Sequence, residues 1–257
     1  MKRTLICLLA IAYIYTFAFI FTACDSKSDQ NADSSQADHQ IWLPYTMLDY
    51  FENCKYTYYY DEYGNEIKTT KADSSGTIES IWLSEYDDNH NLIKRSVDTG
   101  DGELFVQLIQ TYDDKGNLIE KRETSTNFES VSTYRYDEQN RLISRSNNGQ
   151  IVETYTYEAD GSYKIQNANS PDEYSVYGAD GKIQERHLDS DIKLVYFYND
   201  VGILVECATY SEENITKKTV YHLDDNGNAV KISQVNAFGN EKVTAEYEYT
   251  LYTVKAK

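Results

Sequence analysis

The chain is poor in proline, tryptophan and methionine, with two of each in 257 residues, and it has only 4 cysteines and 12 glycines. So few prolines and glycines exclude a collagen-like or low-complexity polymer. No C-x-x-C pair occurs, which excludes a zinc ribbon or a thioredoxin-type redox site. Bases are scarce as well: 24 Lys and Arg face 42 Asp and Glu, for a formal net charge of -18. Nucleic acid and anionic lipid surfaces both need clustered cations to displace their counterions, so neither is an expected partner. G-x-S-x-G, P-loop and G-x-G-x-x-G signatures are missing, and GDGEL at 100–104 lacks the third glycine. What the chain has in quantity is tyrosine, 25 copies beside 8 Phe. Tyrosine joins an apolar ring to a polar hydroxyl and suits sheet faces that are half buried and half wet.

The first residues read as an address. Lys2 and Arg3 precede an apolar run from Leu5 to Ala23, and polar residues begin at Asp25. A charged start, an apolar middle and a small residue before the break describe a secretory signal over 1–23. The break, Phe21-Thr22-Ala23-Cys24, resembles a bacterial lipoprotein box with Phe21 in place of the usual Leu, and it implies lipid attachment at Cys24. An uncleaved membrane anchor is the alternative, because the apolar run approaches the length that spans a bilayer. Both readings place the remainder outside the cytoplasm. Residues 24–40 carry no large hydrophobe and read as a disordered polar tether. Of the other cysteines, Cys7 falls within the signal, which leaves Cys54 and Cys207. An oxidising compartment permits them to pair. Their distance in sequence fits two separate thiols better.

An internal repeat organises residues 41–257. Tyr58-Tyr-Tyr-Asp-Glu-Tyr-Gly, Ser84-Glu-Tyr-Asp-Asp-Asn-His, Gln110-Thr-Tyr-Asp-Asp-Lys-Gly and Tyr134-Arg-Tyr-Asp-Glu-Gln-Asn begin four clear copies, and weaker copies follow to Tyr249. The marker position recurs every 20 to 26 residues at 60, 86, 112, 136, 157, 177, 198, 223 and 249. Tyrosines at i and i+2 share one face of a strand. The next four residues fit a type I turn closed by a left-handed residue. That last position holds Gly64, His90, Gly116, Asn140, Gly161, Gly181, Gly202 and Gly227. Glycine adopts positive φ freely, and His and Asn are enriched there among other residues, so even the exceptions support the turn. Apolar pairs such as Leu118-Ile119 start the returning strand. Looser turns at 73–76, 99–102, 147–150, 169–172 and 237–240 separate the copies. The expectation is an all-β domain: an antiparallel β-hairpin meander of about 16 to 18 strands, forming a strongly twisted, curved sheet that rolls toward a spiral or open barrel. The stretch from Ile41 to Phe51 is expected to cap the first edge, as a short helix or an irregular strand.

The Y-x-Y-D-x-x-G-x-L-I pattern resembles the YD repeats of bacterial RHS proteins and of related insecticidal toxin-complex shells. The resemblance covers most of residues 55–255. In that family the hairpins coil into a hollow shell around a C-terminal toxin, and similar repeats occur on cell-surface proteins for which carbohydrate binding and adhesion are proposed. This chain is far shorter than such a shell and ends on a repeat without the Pro- and Gly-containing self-cleavage core, so encapsulation is not implied.

Candidate chemistry is sparse. Most acids fall in turns, as in Asp87-Asp88, Asp113-Asp114 and Asp224-Asp225, where Asp caps its own backbone. The segment 224–228 lacks EF-hand spacing, because Ala229 stands where the loop glycine belongs. His39, His90, His187 and His222 share no ligand spacing, so no metal, no cofactor and no catalytic set is expected. The repeat tyrosines Tyr60, Tyr86, Tyr112, Tyr136, Tyr157 and Tyr198 are expected to form a cross-strand ladder. A binding face then falls to the non-repeating aromatics Trp42, Trp82, Phe105 and Phe128. The resulting expectation is a non-catalytic, lipid-anchored binding or adhesion scaffold for a polysaccharide or protein. The alternatives are an immunity or shielding protein for an RHS-type toxin and a carboxylate-based extracytoplasmic hydrolase.

Overall fold

The computed structural model describes residues 39–255. The signal at 1–23, Cys24 and most of the tether lie outside the described residues. His39 and Gln40, read above as tether, open the first strand.

Eighteen strands and no helix make up the described residues. They run β1 (His39–Asp49), β2 (Cys54–Tyr60), β3 (Glu66–Asp73), β4 (Ile78–Tyr86), β5 (Leu92–Asp98) and β6 (Phe105–Tyr112). Next come β7 (Leu118–Ser125), β8 (Phe128–Tyr136), β9 (Leu142–Asn147), β10 (Gln150–Tyr157), β11 (Tyr163–Asn167) and β12 (Tyr174–Tyr177). The last are β13 (Ile183–His187), β14 (Ile192–Tyr198), β15 (Leu204–Ser211), β16 (Asn214–Leu223), β17 (Ala229–Asn236) and β18 (Glu241–Val254). Each pairs antiparallel with the next, as a meander requires. The segment left open above as helix or strand is a strand with a structural task. β1 pairs with β18 from His39↔Val254 to Asp49↔Ala245, and with β2 from Thr46↔Thr57 to Asp49↔Cys54. The sheet therefore closes on itself through β1. Eighteen tilted strands at ordinary spacing enclose a ring roughly 30–35 Å across, the size class in which side chains line the interior without filling it.

The tight turns form as the repeat predicts. All eight turn-closing residues have positive φ, including His90 at 62° and Asn140 at 64°. Asp113 N–H donates to the Asn117 carbonyl at 2.9 Å and Gly116 N–H to the Asp113 carbonyl at 2.9 Å. The turn also inserts a β-bulge. Tyr112 faces Leu118 while Thr111 faces Glu120, so Ile119 is the extra residue, and the same shift recurs at Ile67, Ile93 and Ile143. Between β10 and β11 the register runs without a shift.

The tyrosines do form a ladder, through hydroxyls more than through rings. The ladder between β7 and β8 begins at Glu120↔Thr133, which leaves the Leu118 carbonyl beyond it. A backbone acceptor in that position needs a partner, and Tyr136 Oη supplies one at 2.9 Å. The same bond runs from Tyr60 to Pro44, Tyr86 to Glu66, Tyr112 to Leu92, Tyr157 to Leu142, Tyr198 to Ile183 and Tyr249 to Ala229, at 2.8–3.1 Å. Seven of the nine marker positions are thus pinned to the preceding strand. Two marker positions differ: Tyr177 stacks on Tyr163 with centroids 4.6 Å apart, and Leu223 has no hydroxyl.

The tyrosine face is the more buried one, yet it stays wet. Lys121 and Glu123, which share it through the pairing of Gln110 with Lys121, keep 29% and 41% of their side chains exposed. On the opposite face Arg122 bridges Glu120 and Glu129 at 3.4 and 3.2 Å. Neither face of β7 is continuously apolar. The described apolar cluster lies at the seam, where Met47, Cys54 and Tyr56 are buried against Tyr58, Trp82, Ala245 and Tyr247. Cys54 and Cys207 are free and buried, so the disulfide alternative is not realised. Burial pushes both thiols up to about 11, which keeps them protonated at neutral pH.

Candidate functional site

Because strands alternate in direction, every tight Tyr-Asp turn falls on one rim of the ring and every looser connection on the other. The two rims differ chemically.

On the tight-turn rim the carboxylates hold the turns. Asp113 Oδ1 accepts from the Lys115 and Asn117 amides at 2.9 and 2.8 Å, and Oδ2 accepts from Asn117 Nδ2 at 2.9 Å. Asp61, Asp87 and Asp224 repeat this cage with Asn65, Asn91 and Asn228. Hydrogen bonds from the Asn117 side chain and amide hold the Asp113 carboxyl below its usual range, and those from Asn91 do the same for Asp87. The asparagine that follows the turn-closing residue is thus structural. Its recurrence after Gly64, His90, Gly116 and Gly227 was visible in the sequence, but its role needed the geometry.

On the tyrosine face the hydroxyls are similarly engaged. Burial drives Tyr86 and Tyr198 up to about 12. Arg145 grips Glu153 with two bonds, Nε to Oε2 at 2.8 Å and Nη2 to Oε1 at 2.7 Å, and Tyr155 Oη donates to the same carboxylate at 3.2 Å. The Arg145 hydrogen bonds hold the Glu153 carboxyl low. Among the described residues no group of three His, Cys, Asp or Glu side chains converges as a metal site would require.

These shifts set a pH window. The depressed aspartates stabilise the fold above their unfolded value near 4 and withdraw that stability as pH falls through their folded values. The raised tyrosines stabilise it below about 10 and lose that contribution as pH rises toward 12. Stability is therefore expected to be flat between about pH 5 and 9 and to fall on both sides. Phenolate absorbance followed together with circular dichroism checks the alkaline limb: the buried phenols should ionise only as the sheet is lost. Ionisation of all 25 phenols near 10 with the sheet intact would contradict the buried-tyrosine account.

The four non-repeating aromatics do not form one site. Trp42 pairs with Leu251 toward the tight-turn rim and is exposed. Trp82 is half-buried in the seam cluster, 6.3 Å from the Tyr56 ring. Phe105 and Phe128 both stand on the looser rim as the exposed first residues of β6 and β8. Sequence reading missed their neighbours. Among the described residues six large hydrophobics are more than half exposed, and five of them, Phe51, Ile78, Leu104, Phe128 and Phe238, belong to the looser rim. The sixth, Val201, lies in a tight turn. Their signal was a large apolar residue in or beside a turn, where polar residues are the rule.

Comparison with known proteins bears on the repeat. No curated protein matches the chain. Two crystal structures show limited likeness. TcdB2-TccC3-Cdc42 is 15% identical with a TM-score of 0.35, over 79% of this chain and 12% of that one. TcdB2-TccC3-TEV is 15% identical with a TM-score of 0.36, over 72% of this chain and 10% of that one. The chain thus spans about a tenth of the length of either, and likeness of this degree defines neither shape nor activity. The RHS Repeat family model matches residues 112–152. That span begins at the marker Tyr112 and takes in the hairpins of Asp113 and Asp137, so it is these two hairpins that match the RHS-repeat pattern.

Proposed function

We propose that this chain is a non-catalytic binding scaffold of the YD-repeat type, held outside the cytoplasm by a lipid on Cys24. The observation that carries the reading is where its reactive groups are engaged. Turn carboxylates are caged by their own amides, and marker tyrosine hydroxyls bond the carbonyls of the preceding hairpin. General acid–base work requires a carboxyl free to exchange its proton at the substrate, and these groups are committed to the wall. The box at Phe21–Cys24 supports the anchor. A broad repetitive wall suits extended macromolecules better than small ligands.

Its test is a binding screen of the full chain against polysaccharides, cell-wall fragments and extracytoplasmic proteins, with product analysis on every hit. Saturable binding without turnover is the expected result. Turnover of any ligand would replace the scaffold with an enzyme, and the absence of saturable binding would end the proposal.

A further inference from the structure

We propose that the looser rim is the scaffold's docking surface and that it takes an extended, cationic protein segment with an apolar residue at every third position. This inference rests on the scaffold reading and adds the location and chemistry of its partner.

Ring closure through β1 provides the first observation. It places the β17–β18 connection beside the β1–β2 connection. Phe238, Phe51, Ile78, Leu104 and Phe128 then stand in or directly beside five successive looser connections. Successive members stand two strands apart, roughly 10 Å. An extended chain rises about 3.3 Å per residue, so every third residue recurs at that interval.

Charge provides the second. The segments 49–53, 73–79, 98–106, 125–129 and 236–241 contain Asp and Glu but neither Lys nor Arg. Lys71 bridges Glu52 at 2.8 Å and Glu79 at 3.8 Å, Arg122 bridges Glu129 at 3.2 Å, and His222 lies 3.2 Å from Glu241. Asp98 caps its own loop through the Gly100 and Gly102 amides, while Asp101 and Glu103 stand exposed beside Leu104. Such an edge repels phosphate groups, anionic lipid and a second copy of itself. Its complement is Lys and Arg between apolar anchors. The exposed Ile, Leu and Phe side chains also suit insertion into a protein partner better than flat stacking on sugar rings.

The test uses the full chain and three synthetic peptides that repeat Phe-Lys-Lys, Ser-Lys-Lys and Phe-Glu-Glu. The first is expected to bind saturably, with affinity at least roughly tenfold above the other two. The double substitution Leu104→Ser with Phe128→Ser should weaken it by roughly tenfold or more. Val201→Ser, on the opposite rim, should leave it within about twofold. All three positions are exposed, and thermal melting is the check that each variant is folded. Equal binding of Ser-Lys-Lys would reduce the effect to bulk charge and overturn the proposal. So would unchanged binding by the double variant, or capture on a polysaccharide that the double variant retains. The last two outcomes would leave the scaffold standing on another face, whereas a chain that binds no macromolecule at all fails the scaffold itself.

Discussion

Replacing Met47 with aspartate is expected to destabilise the ring by about 3–5 kcal/mol, a large share of what holds a domain folded. Met47 lies opposite Tyr56 on β2 and Tyr247 on β18, so one side chain belongs to both sides of the seam. It is 7% exposed, and its Sδ lies 4.0 Å from Tyr58 Oη. A carboxylate there meets tyrosine rings and the Cys54 thiol, and the neighbouring Lys71, opposite Tyr56 on β3, is already bridged to Glu52 at 2.8 Å. The urea midpoint should drop steeply. The freed edges of β1 and β2 should also drive association, because unpaired strand edges recruit other chains. Met47→Leu keeps the volume and should cost less than about 1.5 kcal/mol. If the aspartate variant melts like the wild type and remains a monomer, β1 does not close the sheet.

The second large effect is conformational. Gly116 has φ +82°, and a Cβ added there would meet nothing within 4 Å. The Cβ of Gly116→Val therefore meets no neighbour, and the cost expected is that of forcing a β-branched residue into the left-handed region, about 2 kcal/mol. Gly116→Asn should retain most of the stability, since Asn140 holds φ 64° at the equivalent place. Denaturant melts of the two variants separate strain from any generic effect of a side chain. Equal midpoints for Val and Gly would show that the Asp113 turn does not depend on its closing residue.

Much of this architecture can be read in the sequence because each hairpin carries its own instructions. His90 and Asn140 show how far the reading reaches: a positive φ was inferred at both from their place in the repeat, and both adopt it. Local rules of that kind involve four or five residues and survive translation from sequence to structure. The bulge at Ile119 was less legible. Leu118-Ile119 reads as an ordinary apolar pair, and only the pairing of Tyr112 with Leu118 shows which one is extra. The hydroxyl bond from Tyr136 to the Leu118 carbonyl was hidden for a similar reason, since it joins consecutive hairpins and leaves no mark at either residue alone. The looser rim was half read. Phe105 and Phe128 were singled out, but Phe51 and Phe238 become their neighbours only after the sheet closes. Trp82 looked like an exposed aromatic, but it packs against Tyr56 in the cluster that joins the two distant ends of the chain.

That distance also imposes an order of assembly. Nearly every pairing joins strands that follow one another directly, so a hairpin can form as soon as its own residues are available. The seam is different: the Thr46 hydroxyl donates to Glu248 Oε2 across 202 positions. Closing a span of that length costs about 2 kcal/mol more in chain entropy than closing one a tenth as long. The penalty is small enough to be met, but it falls on the last event. Folding should then proceed as local zippering followed by a single slow closure, in which the earliest strand waits for the latest. Until that moment β1 lacks its longest partner, and a chain cut short before β18 would expose its fault at the opposite end, in the first strand.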